Sequence, residues 1–190
     1  MITRKLVRPF KRFVGRLLRS LPGQDVAYWE RRRHMRYYRE VIRLARAHAP
    51  GATTVLDVGA RDTPVVIELD WIPSRTAIDY EVAPNVPGVV GIKGDFMDFQ
   101  PDRVFDLVIC LQVLEHLAQP QRFAKKLLET GRTVIISVPH LWPEDFSDEH
   151  LQDPIDEAKL IGWTQQPPID KVIVTDDRLE RFIGVFEGVR

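Results

Sequence analysis

The sequence has only one cysteine and no long apolar run. The single Cys110 excludes a disulfide framework and a cysteine-rich zinc site, and it favours a reducing compartment, so we expect a cytoplasmic protein. Cys110 lies within an apolar stretch, which is typical of an inert thiol in the core. No stretch approaches the roughly 20 apolar residues that a membrane-spanning helix needs. A chain of 190 residues, 44% hydrophobic and 28% charged, suits one globular domain with a small appendage.

The formal net charge is zero, but the two signs are unevenly distributed along the chain. Residues 1–46 contain 14 Arg or Lys and three acidic residues, a net charge of +11, and the remainder carries −11. A basic segment on an acidic body indicates a polyanionic partner. The candidates are an anionic membrane surface, a nucleic acid and an anionic glycan.

Residues 1–22 are predicted to form a basic amphipathic helical arm. Apolar side chains recur at three- to four-residue spacing between the basic ones, for example at Leu6, Phe10, Phe13 and Leu17. Such a helix lies in a membrane interface or packs on the domain or on a second subunit. Residues 1–21 therefore predict either peripheral binding to the inner face of a membrane or an internal or oligomeric contact. Charges interrupt every stretch that would serve as the apolar region of a signal peptide.

Residues 23–50 are predicted to be an N-terminal helix, over 26–48, that covers the ligand site of the domain formed by residues 51–190. In that domain short apolar strands alternate with helical patterns, which predicts an α/β fold with a doubly wound, mostly parallel, seven-stranded sheet. The last two strands are expected to form an antiparallel pair. The predicted strands are 53–58, 75–79, 89–93, 105–111, 132–138, 171–175 and 181–186, and the helices 64–71, 119–130 and 154–161.

The turn after the first strand, VLDVGARDTP, keeps one glycine where dinucleotide-binding turns carry two or three. Arg61 and Thr63 occupy the later glycine positions, which argues against a pyrophosphate cradle and a nicotinamide-dependent oxidoreductase. Gly59 still permits a tight turn and close approach of a ligand to the backbone, and Asp57 suits a ligand with an ammonium group. Asp79 lies 20 residues beyond Gly59, where a carboxylate accepts hydrogen bonds from ribose hydroxyls.

These motifs, over about residues 53–140, resemble those of the class I methyltransferases that use S-adenosylmethionine. VLDVGA resembles the family's first motif, AIDYE its acidic second-strand end and GDFMDF its adenine-contacting turn. FDLVICLQVLEHL with SVPH resembles the small-molecule and sugar methyltransferase branch. The resemblance implies a Rossmann-like methyltransferase fold and S-adenosylmethionine as cofactor. It places Asp57, Gly59, Ala60 and Arg61 at the methionine portion, Asp79 and Tyr80 at the ribose, Asp95 and Phe96 at the adenine, and Gln112 beside the sulfonium.

Methyl transfer to a hydroxyl needs in-line positioning and a base that removes the proton. The candidates are His140, which follows the fifth strand, His116, which follows the fourth with Glu115 beside it, and His150. A histidine near its ordinary pKa of about 6.5 accepts a proton at neutral pH. LQVLEHL also resembles a magnesium-binding Glu-x-x-Glu-His stretch of small-RNA and quinone-ring O-methyltransferases, with Gln112 in place of the first glutamate. This resemblance predicts a metal site at Glu115, His116 and His150, and adds Mg²⁺ to the cofactors.

The segment HLWPEDFSDEH follows the fifth strand and is the predicted acceptor-binding loop. Its aromatic and acidic side chains suit stacking on a sugar ring and hydrogen bonds to its hydroxyls, with Trp142 and His150 as substrate-binding candidates.

The prediction is an S-adenosylmethionine-dependent methyltransferase that O-methylates a small-molecule, sugar or polysaccharide-type hydroxyl. One alternative is an RNA methyltransferase with residues 1–46 as its basic surface. It is less favoured, because the chain has no RNA-binding motif. The other is a non-catalytic adaptor that keeps the fold and binds a membrane or a protein partner, which the depleted glycine turn would explain.

Overall fold

The computed structural model describes residues 29–30, 32–61, 65–144 and 146–189. These residues form a seven-stranded sheet with α-helices on both faces, which confirms the predicted fold. The strands are β1 (Thr54–Val58), β2 (Ser74–Asp79), β3 (Val90–Lys93), β4 (Phe105–Leu111), β5 (Gly131–Pro139), β6 (Asp170–Asp176) and β7 (Leu179–Glu187). The α-helices are α1 (Arg36–His48), α2 (Pro120–Thr130) and α3 (Glu157–Thr164), and short 3₁₀ turns cover Val65–Glu68 and Leu114–His116.

The strand order across the sheet is β3-β2-β1-β4-β5-β7-β6. The first five strands are mutually parallel, so their carboxyl ends share one edge. β7 is antiparallel to both β5 and β6, as the sequence predicted for the last pair. Because of this reversal, the first residues of β7 lie at the edge where the parallel strands end, with Arg181 opposite Pro139.

The sheet separates two apolar cores, as expected for central strands that are buried on both faces. In β4, Leu107 and Ile109 face the α1 side, whereas Val108 and Cys110 face the α2 and α3 side. This alternation follows from the two-residue period of a strand. Cys110 is fully buried and free, and burial raises the pKa of its thiol, which agrees with an inert core residue.

Helix α1 is fixed to β6 at both of its ends. The backbone amides of Arg36 and Tyr37 donate to the carboxylate of Asp176 at 3.1 and 2.9 Å, which satisfies free donors at the helix N-terminus. At the other end, His48 Nε2 lies 2.7 Å from Asp170 Oδ2. These contacts hold Tyr37 over the sheet, where it is 1% exposed.

Two predicted helices differ from the sequence prediction. The helix expected over 26–48 is interrupted: residues 29, 30 and 32 are helical, Met35 then has an extended backbone with ψ 143°, and α1 begins at Arg36. In place of a helix over 64–71 there is a 3₁₀ turn, Val65–Glu68. The arm over 1–22, residues 23–28, Thr63 and Pro64 lie outside the described residues. None of the helices in the described part of the chain has the length and apolar character needed to span a bilayer.

Candidate functional site

A cavity of about 890 Å³ opens at the edge where the parallel strands end. β1 and β4 are neighbours at its centre, and the strand order reverses between them, which is where open α/β sheets bind ligands. Most of the predicted site residues line this one cavity: Gly59, Arg61, Asp79, Tyr80, Asp95, Phe96, Gln112, Glu115, His116, Trp142 and His150. We call the part formed by Gly59, Asp79, Asp95 and Phe96 the cofactor end, and the part formed by Glu115, His116, Trp142 and His150 the histidine end.

Gly59 makes the turn after β1 with a backbone conformation that excludes most other residues. Its φ is +80°, and a Cβ at this position would lie 2.5 Å from Val113 Cγ2. The Gly59 amide donates to the Ile78 carbonyl at 2.8 Å, which ties the turn to β2. A ligand can therefore approach the backbone here although the later glycines are absent.

Asp79 ends β2 and organises the next turn. Its Oδ1 accepts from the amide of Glu81 at 2.8 Å, and its Oδ2 accepts from the amide of Arg61 at 3.3 Å. A carboxylate oxygen has more than one acceptor site, so a hydroxyl in the cavity still finds an acceptor here. The Arg61 side chain forms an ion pair with Glu81, so Glu81 is a partner for the positive charge of Arg61.

Phe96 forms an aromatic wall at the cofactor end. It is 4% exposed and packs against Phe123 of α2 with ring centres 5.0 Å apart. Lys126 of α2 donates to the carbonyls of Met97 and Phe99 at 2.7 and 2.6 Å, which fixes the turn that carries Phe96. Asp95 is exposed in the same turn and accepts from the Met97 amide at 2.8 Å.

Gln112 connects the cofactor end with α1. It has a left-handed backbone conformation, φ 57°, directly after β4. Its Nε2 donates to Ser137 Oγ at 3.3 Å, and the same Oγ is hydrogen-bonded to the Tyr37 hydroxyl. Burial raises the pKa of Tyr37 well above its usual value of 10, so the phenol stays neutral.

Glu115 and His116 lie on the 3₁₀ turn after β4, with unlike environments. Glu115 is 1% exposed, its Oε2 has no partner among the described residues, and burial raises its pKa to about 8. His116 is half-buried and its Nδ1 donates to the Glu149 carbonyl at 3.0 Å, which leaves the lone pair of the neutral ring on Nε2. Burial lowers the pKa of His116, so the ring is neutral at neutral pH.

His150 brings a second imidazole to the same place. Its ring centre lies 4.9 Å from that of His116, and it stacks on Trp142 at 5.6 Å with an interplanar angle of 22°. His150 Nδ1 lies 2.5 Å from Oδ2 of Asp153. One ligand atom each of Glu115, His116 and His150 lies within 4.8 Å of the others, so the structure does bring this predicted trio together.

Three predicted residues are not among those that line the cavity: Asp57, Ala60 and His140. Asp57 is 2% exposed, and burial raises its pKa to about 8, so at neutral pH it lacks most of the negative charge expected to meet an ammonium group. Ala60 is 2% exposed. His140 Nδ1 lies 2.9 Å from Glu180 Oε2, and the His140 ring lies beside Phe182. Adjacent strand residues point to opposite faces, so Phe182 faces away from Arg181, which lines the cavity. The geometry does not support His140 as the base.

Two residues of the site were missed by the sequence reasoning. Asp153 lies three residues after His150 in a loop, and such spacing carries no signal of its own. Arg181 lines the cavity because β7 is antiparallel and presents its first residues at this edge. The sequence did predict an antiparallel last strand, and this prediction could have identified Arg181. An antiparallel strand presents its first residues, not its last, at the edge where the parallel strands end.

Residues 28–166 match the family model described as a methyltransferase domain, which is more than half of the chain. The chain belongs to this methyltransferase family. The resemblance to the class I S-adenosylmethionine-dependent methyltransferases is thereby confirmed, and the cavity lies where that fold carries its ligands. No curated protein matches the sequence.

Solved structures share the fold of this methyltransferase at low sequence identity. The 1,6-didemethyltoxoflavin-N1-methyltransferase of Burkholderia thailandensis, solved with 1,6-didemethyltoxoflavin and S-adenosylhomocysteine, has a TM-score of 0.67 and 18% identity over 100% of this chain and 94% of its own. The N-methyltransferase NodS of Bradyrhizobium japonicum, solved with S-adenosylhomocysteine, has a TM-score of 0.58 and 14% identity over 83% and 90%. The N-terminal domain of EvdMO1, crystallised with S-adenosylhomocysteine and D-fucose present, has a TM-score of 0.56 and 15% identity over 82% and 84%.

Proposed function

We propose that this methyltransferase transfers the methyl group of S-adenosylmethionine to a hydroxyl of a sugar-type acceptor. The observation that carries the proposal is one continuous cavity that has a glycine turn, a ribose-type carboxylate and an aromatic wall at one end, and two imidazoles at the other. S-adenosylmethionine, when bound, supplies a methyl group on a positively charged sulfur, which is already activated for attack by a nucleophile. The protein then has to position the acceptor and remove its proton.

The residues at the cofactor end fit an adenosyl group. Asp79 offers carboxylate oxygens to ribose hydroxyls, and Phe96 offers an apolar face to the adenine, with Asp95 available for its exocyclic amine. The turn at Gly59 leaves room that a Cβ would fill. Gln112, held by Ser137, lies between the two ends and would border the reacting atoms.

His150 is our candidate for the base. Because its Nδ1 is engaged by Asp153, the lone pair of the neutral ring is on Nε2, and the carboxylate stabilises the imidazolium that forms when Nε2 accepts the hydroxyl proton. His116 presents a neutral Nε2 as an acceptor for the same hydroxyl or a neighbouring one. Glu115, with its pKa raised to about 8, is mostly protonated at neutral pH and can donate a hydrogen bond to an acceptor oxygen.

The aromatic side chains at the histidine end support a ring-shaped acceptor. Trp142 and Phe146 lie with ring centres 4.6 Å apart and both line the cavity. Flat apolar surfaces next to hydrogen-bonding groups suit a sugar ring, which has an apolar face and a rim of hydroxyls. The EvdMO1 domain, a protein of the same fold, was crystallised in the presence of a sugar, D-fucose.

The trio of Glu115, His116 and His150 fits magnesium poorly. Two of its three donors are imidazole nitrogens, whereas Mg²⁺ prefers an octahedron of oxygen ligands. The only carboxyl among them is mostly uncharged at neutral pH because of its burial. Magnesium therefore has no part in the proposed mechanism.

Residues 1–21 are proposed to hold the protein at an anionic membrane surface, on the strength of their basic and amphipathic sequence. Deletion of residues 1–21 should abolish sedimentation with vesicles that contain phosphatidylserine. It should leave S-adenosylhomocysteine binding unchanged. If the intact protein ignores such vesicles, the membrane proposal is wrong, whatever the enzyme does.

The proposed function is tested by calorimetric titration with S-adenosylhomocysteine, followed by transfer of a labelled methyl group from S-adenosylmethionine to a panel of monosaccharides, amines and RNA. We expect S-adenosylhomocysteine to bind equally well with and without magnesium, and label to enter hydroxyl-bearing sugars. Absence of binding would favour a non-catalytic adaptor. If label enters only amines or RNA, the protein is an active methyltransferase but the proposed sugar-type acceptor is wrong.

A further inference from the structure

Arg181 is a buried cation at the edge of the cavity. It is the third residue of β7 and is 4% exposed, yet it lines the cavity. A guanidinium keeps its charge at every physiological pH and carries five N–H donors. Burying such a group is unfavourable unless the donors find partners.

The donors of Arg181 are only partly accounted for. Within the described part of the chain, Nε and Nη1 have no hydrogen-bond partner, and the side chain forms no ion pair with a carboxylate. Its guanidinium carbon lies 5.3 Å from the ring centre of Tyr37 and 5.3 Å from that of Trp142. The two rings stabilise the cation and fix its plane, but they do not satisfy its N–H groups in the way that an acceptor oxygen does.

Glu115 is close enough for the charge of Arg181 to act on it, but the two form no ion pair among the described residues. Glu115 Oε1 lies 3.9 Å from His116 Nε2, and Glu115 Oε2 has no partner in the described part of the chain. The positive charge of Arg181 is therefore left for a ligand in the cavity.

The position of Arg181 in the sheet assigns it to the acceptor and not to the cofactor. The cofactor end is built on the carboxyl ends of β1, β2 and β3, whereas β7 lies beyond β4 and β5 on the other half of the sheet. Its aromatic neighbour Trp142 belongs to the histidine end, and Trp142 itself stacks on His150. A group bound by Arg181 would therefore lie beside the candidate base.

We propose that Arg181 binds a carboxylate or phosphate group of the acceptor, between the rings of Tyr37 and Trp142. This inference rests on the proposed function, and it narrows the acceptor to an anionic sugar-type molecule. The planar guanidinium matches the geometry of both anions, with two parallel N–H donors facing two oxygens. Arg181 thus selects the acceptor by its charge and orients the hydroxyl toward His150.

The test uses two probes that differ only at the carboxyl group, D-glucuronate and its neutral amide, D-glucuronamide. Their affinities for the full chain are measured by ligand-observed NMR, with and without saturating S-adenosylhomocysteine. We expect glucuronate to bind about 10-fold or more tightly than glucuronamide, the usual range for hydrogen bonds to a charged group. Inorganic phosphate should displace glucuronate, and glucose 6-phosphate compared with glucose then distinguishes a phosphate acceptor from a carboxylate acceptor.

Two variants assign the preference to Arg181. Arg181→Met removes the charge at similar length and should abolish the preference for glucuronate. Arg181→Lys keeps the charge without the two parallel N–H donors of the guanidinium, and should retain part of that preference. If Arg181→Met does not fold, the preference for glucuronate over glucuronamide in the wild type and in Arg181→Lys still tests the inference. Equal affinity of the wild type for both probes, or a preference that survives in folded Arg181→Met, overturns the inference.

The readout with S-adenosylhomocysteine separates this inference from the proposed function. Loss of S-adenosylhomocysteine binding in folded Arg181→Met, without any preference for glucuronate in the wild type, would assign Arg181 to the cofactor carboxylate and overturn the inference. A wild type that binds no S-adenosylhomocysteine but still prefers glucuronate would reject the proposed function and support an anion site at Arg181.

Discussion

The Nδ1 atom of His150 lies 2.5 Å from Oδ2 of Asp153, and the two side chains are 9% and 3% exposed. The second oxygen of Asp153, Oδ1, has no partner among the described residues, so the imidazole is the main recipient of its charge. A buried carboxylate at Nδ1 holds the ring in one tautomer and makes Nε2 the acceptor. Asp153 is therefore a positioning residue for the candidate base, and it acts on the acceptor only through His150.

Asp153→Asn tests this relationship with little change of shape. The amide cannot stabilise an imidazolium as the carboxylate does, so kcat should fall roughly 10- to 100-fold while the affinity for S-adenosylhomocysteine stays the same. The measurements are initial rates of methyl transfer at several pH values and a calorimetric titration.

A matched control for this variant is Asp156→Asn. Asp156 lies three residues further along and caps α3 by accepting from the Lys159 amide at 2.7 Å. Asparagine caps a helix about as well as aspartate, so neither rate nor stability should change. Equal rates for wild type and Asp153→Asn would remove the pair from the mechanism.

The histidines can be ranked by their position relative to the cavity. His150→Gln should lower kcat by about 100-fold or more, the usual contribution of a general base. His140→Gln should leave kcat close to that of the wild type, because His140 pairs with Glu180 outside the cavity lining. Rates of methyl transfer for the two variants check this ranking. The reverse order of effects would restore His140 as the base, as the sequence first suggested.

The strands and the cofactor end could be predicted from the sequence for a common reason. Apolar runs such as FDLVICL are long enough to be strands buried on both faces, and β4 begins and ends where that run does. Parallel strands end at one edge, so Asp79 and Phe96 were expected together from their strand-end positions alone. Asp79 is the last residue of β2, whereas Phe96 lies three residues beyond β3 in a short turn.

The histidine end could be predicted only in part, because its geometry depends on loops and on the face of a strand. His140 follows β5 directly, but a difference of one residue decides which face of the sheet a side chain occupies. His150 and Asp153 meet through the folding of a loop that has no periodic pattern. The interruption of the helix expected over 26–48 likewise depends on the extended backbone of Met35, which propensity does not reveal.

Gly59→Ala should damage the cofactor end. The added Cβ would lie 2.5 Å from Val113 Cγ2 in a residue with φ +80°, so either the turn or Val113 has to move, at a cost of about 1–3 kcal/mol. We expect a lower unfolding temperature and weaker binding of S-adenosylhomocysteine, by differential scanning fluorimetry and calorimetry. Gly162→Ala in α3 is the control, because no atom lies within 4 Å of the new Cβ and alanine favours a helix. If Gly59→Ala behaves like this control, the turn does not approach the ligand.

Asp79→Asn should weaken the binding of S-adenosylhomocysteine by about 1–3 kcal/mol, the range for a hydrogen bond to a charged group. Asparagine keeps an oxygen for the amide of Glu81 but loses the acceptor of the Arg61 amide, so the unfolding temperature is measured beside the affinity. Asp98→Asn is the control, since Asp98 is exposed and is not among the residues that line the cavity. Calorimetric affinities of the two variants check the assignment, and wild-type affinity in Asp79→Asn would remove Asp79 from the ribose site.

Asp57 should make the stability of the protein depend on pH. In the unfolded chain its carboxyl loses a proton near the ordinary pKa of 3.8, whereas burial in the folded protein raises the pKa to about 8. Between these pH values the folded state holds one more proton than the unfolded state. Stability therefore falls as the pH rises from about 4 to about 8, and then becomes constant. One such group changes the free energy of unfolding by about 1 kcal/mol per pH unit.

Asp57→Asn removes this titration while keeping a neutral side chain of the same shape. Urea unfolding at pH 5, 6, 7 and 8 should therefore show a smaller loss of stability with rising pH in the variant than in the wild type. A residual slope is expected from Glu115, which is buried and has its pKa raised in the same direction, and Asp57→Asn combined with Glu115→Gln should reduce it further. Parallel curves for the wild type and Asp57→Asn would mean that Asp57 is already ionised in the folded protein at pH 5. The ammonium-binding role expected from the sequence would then regain its basis.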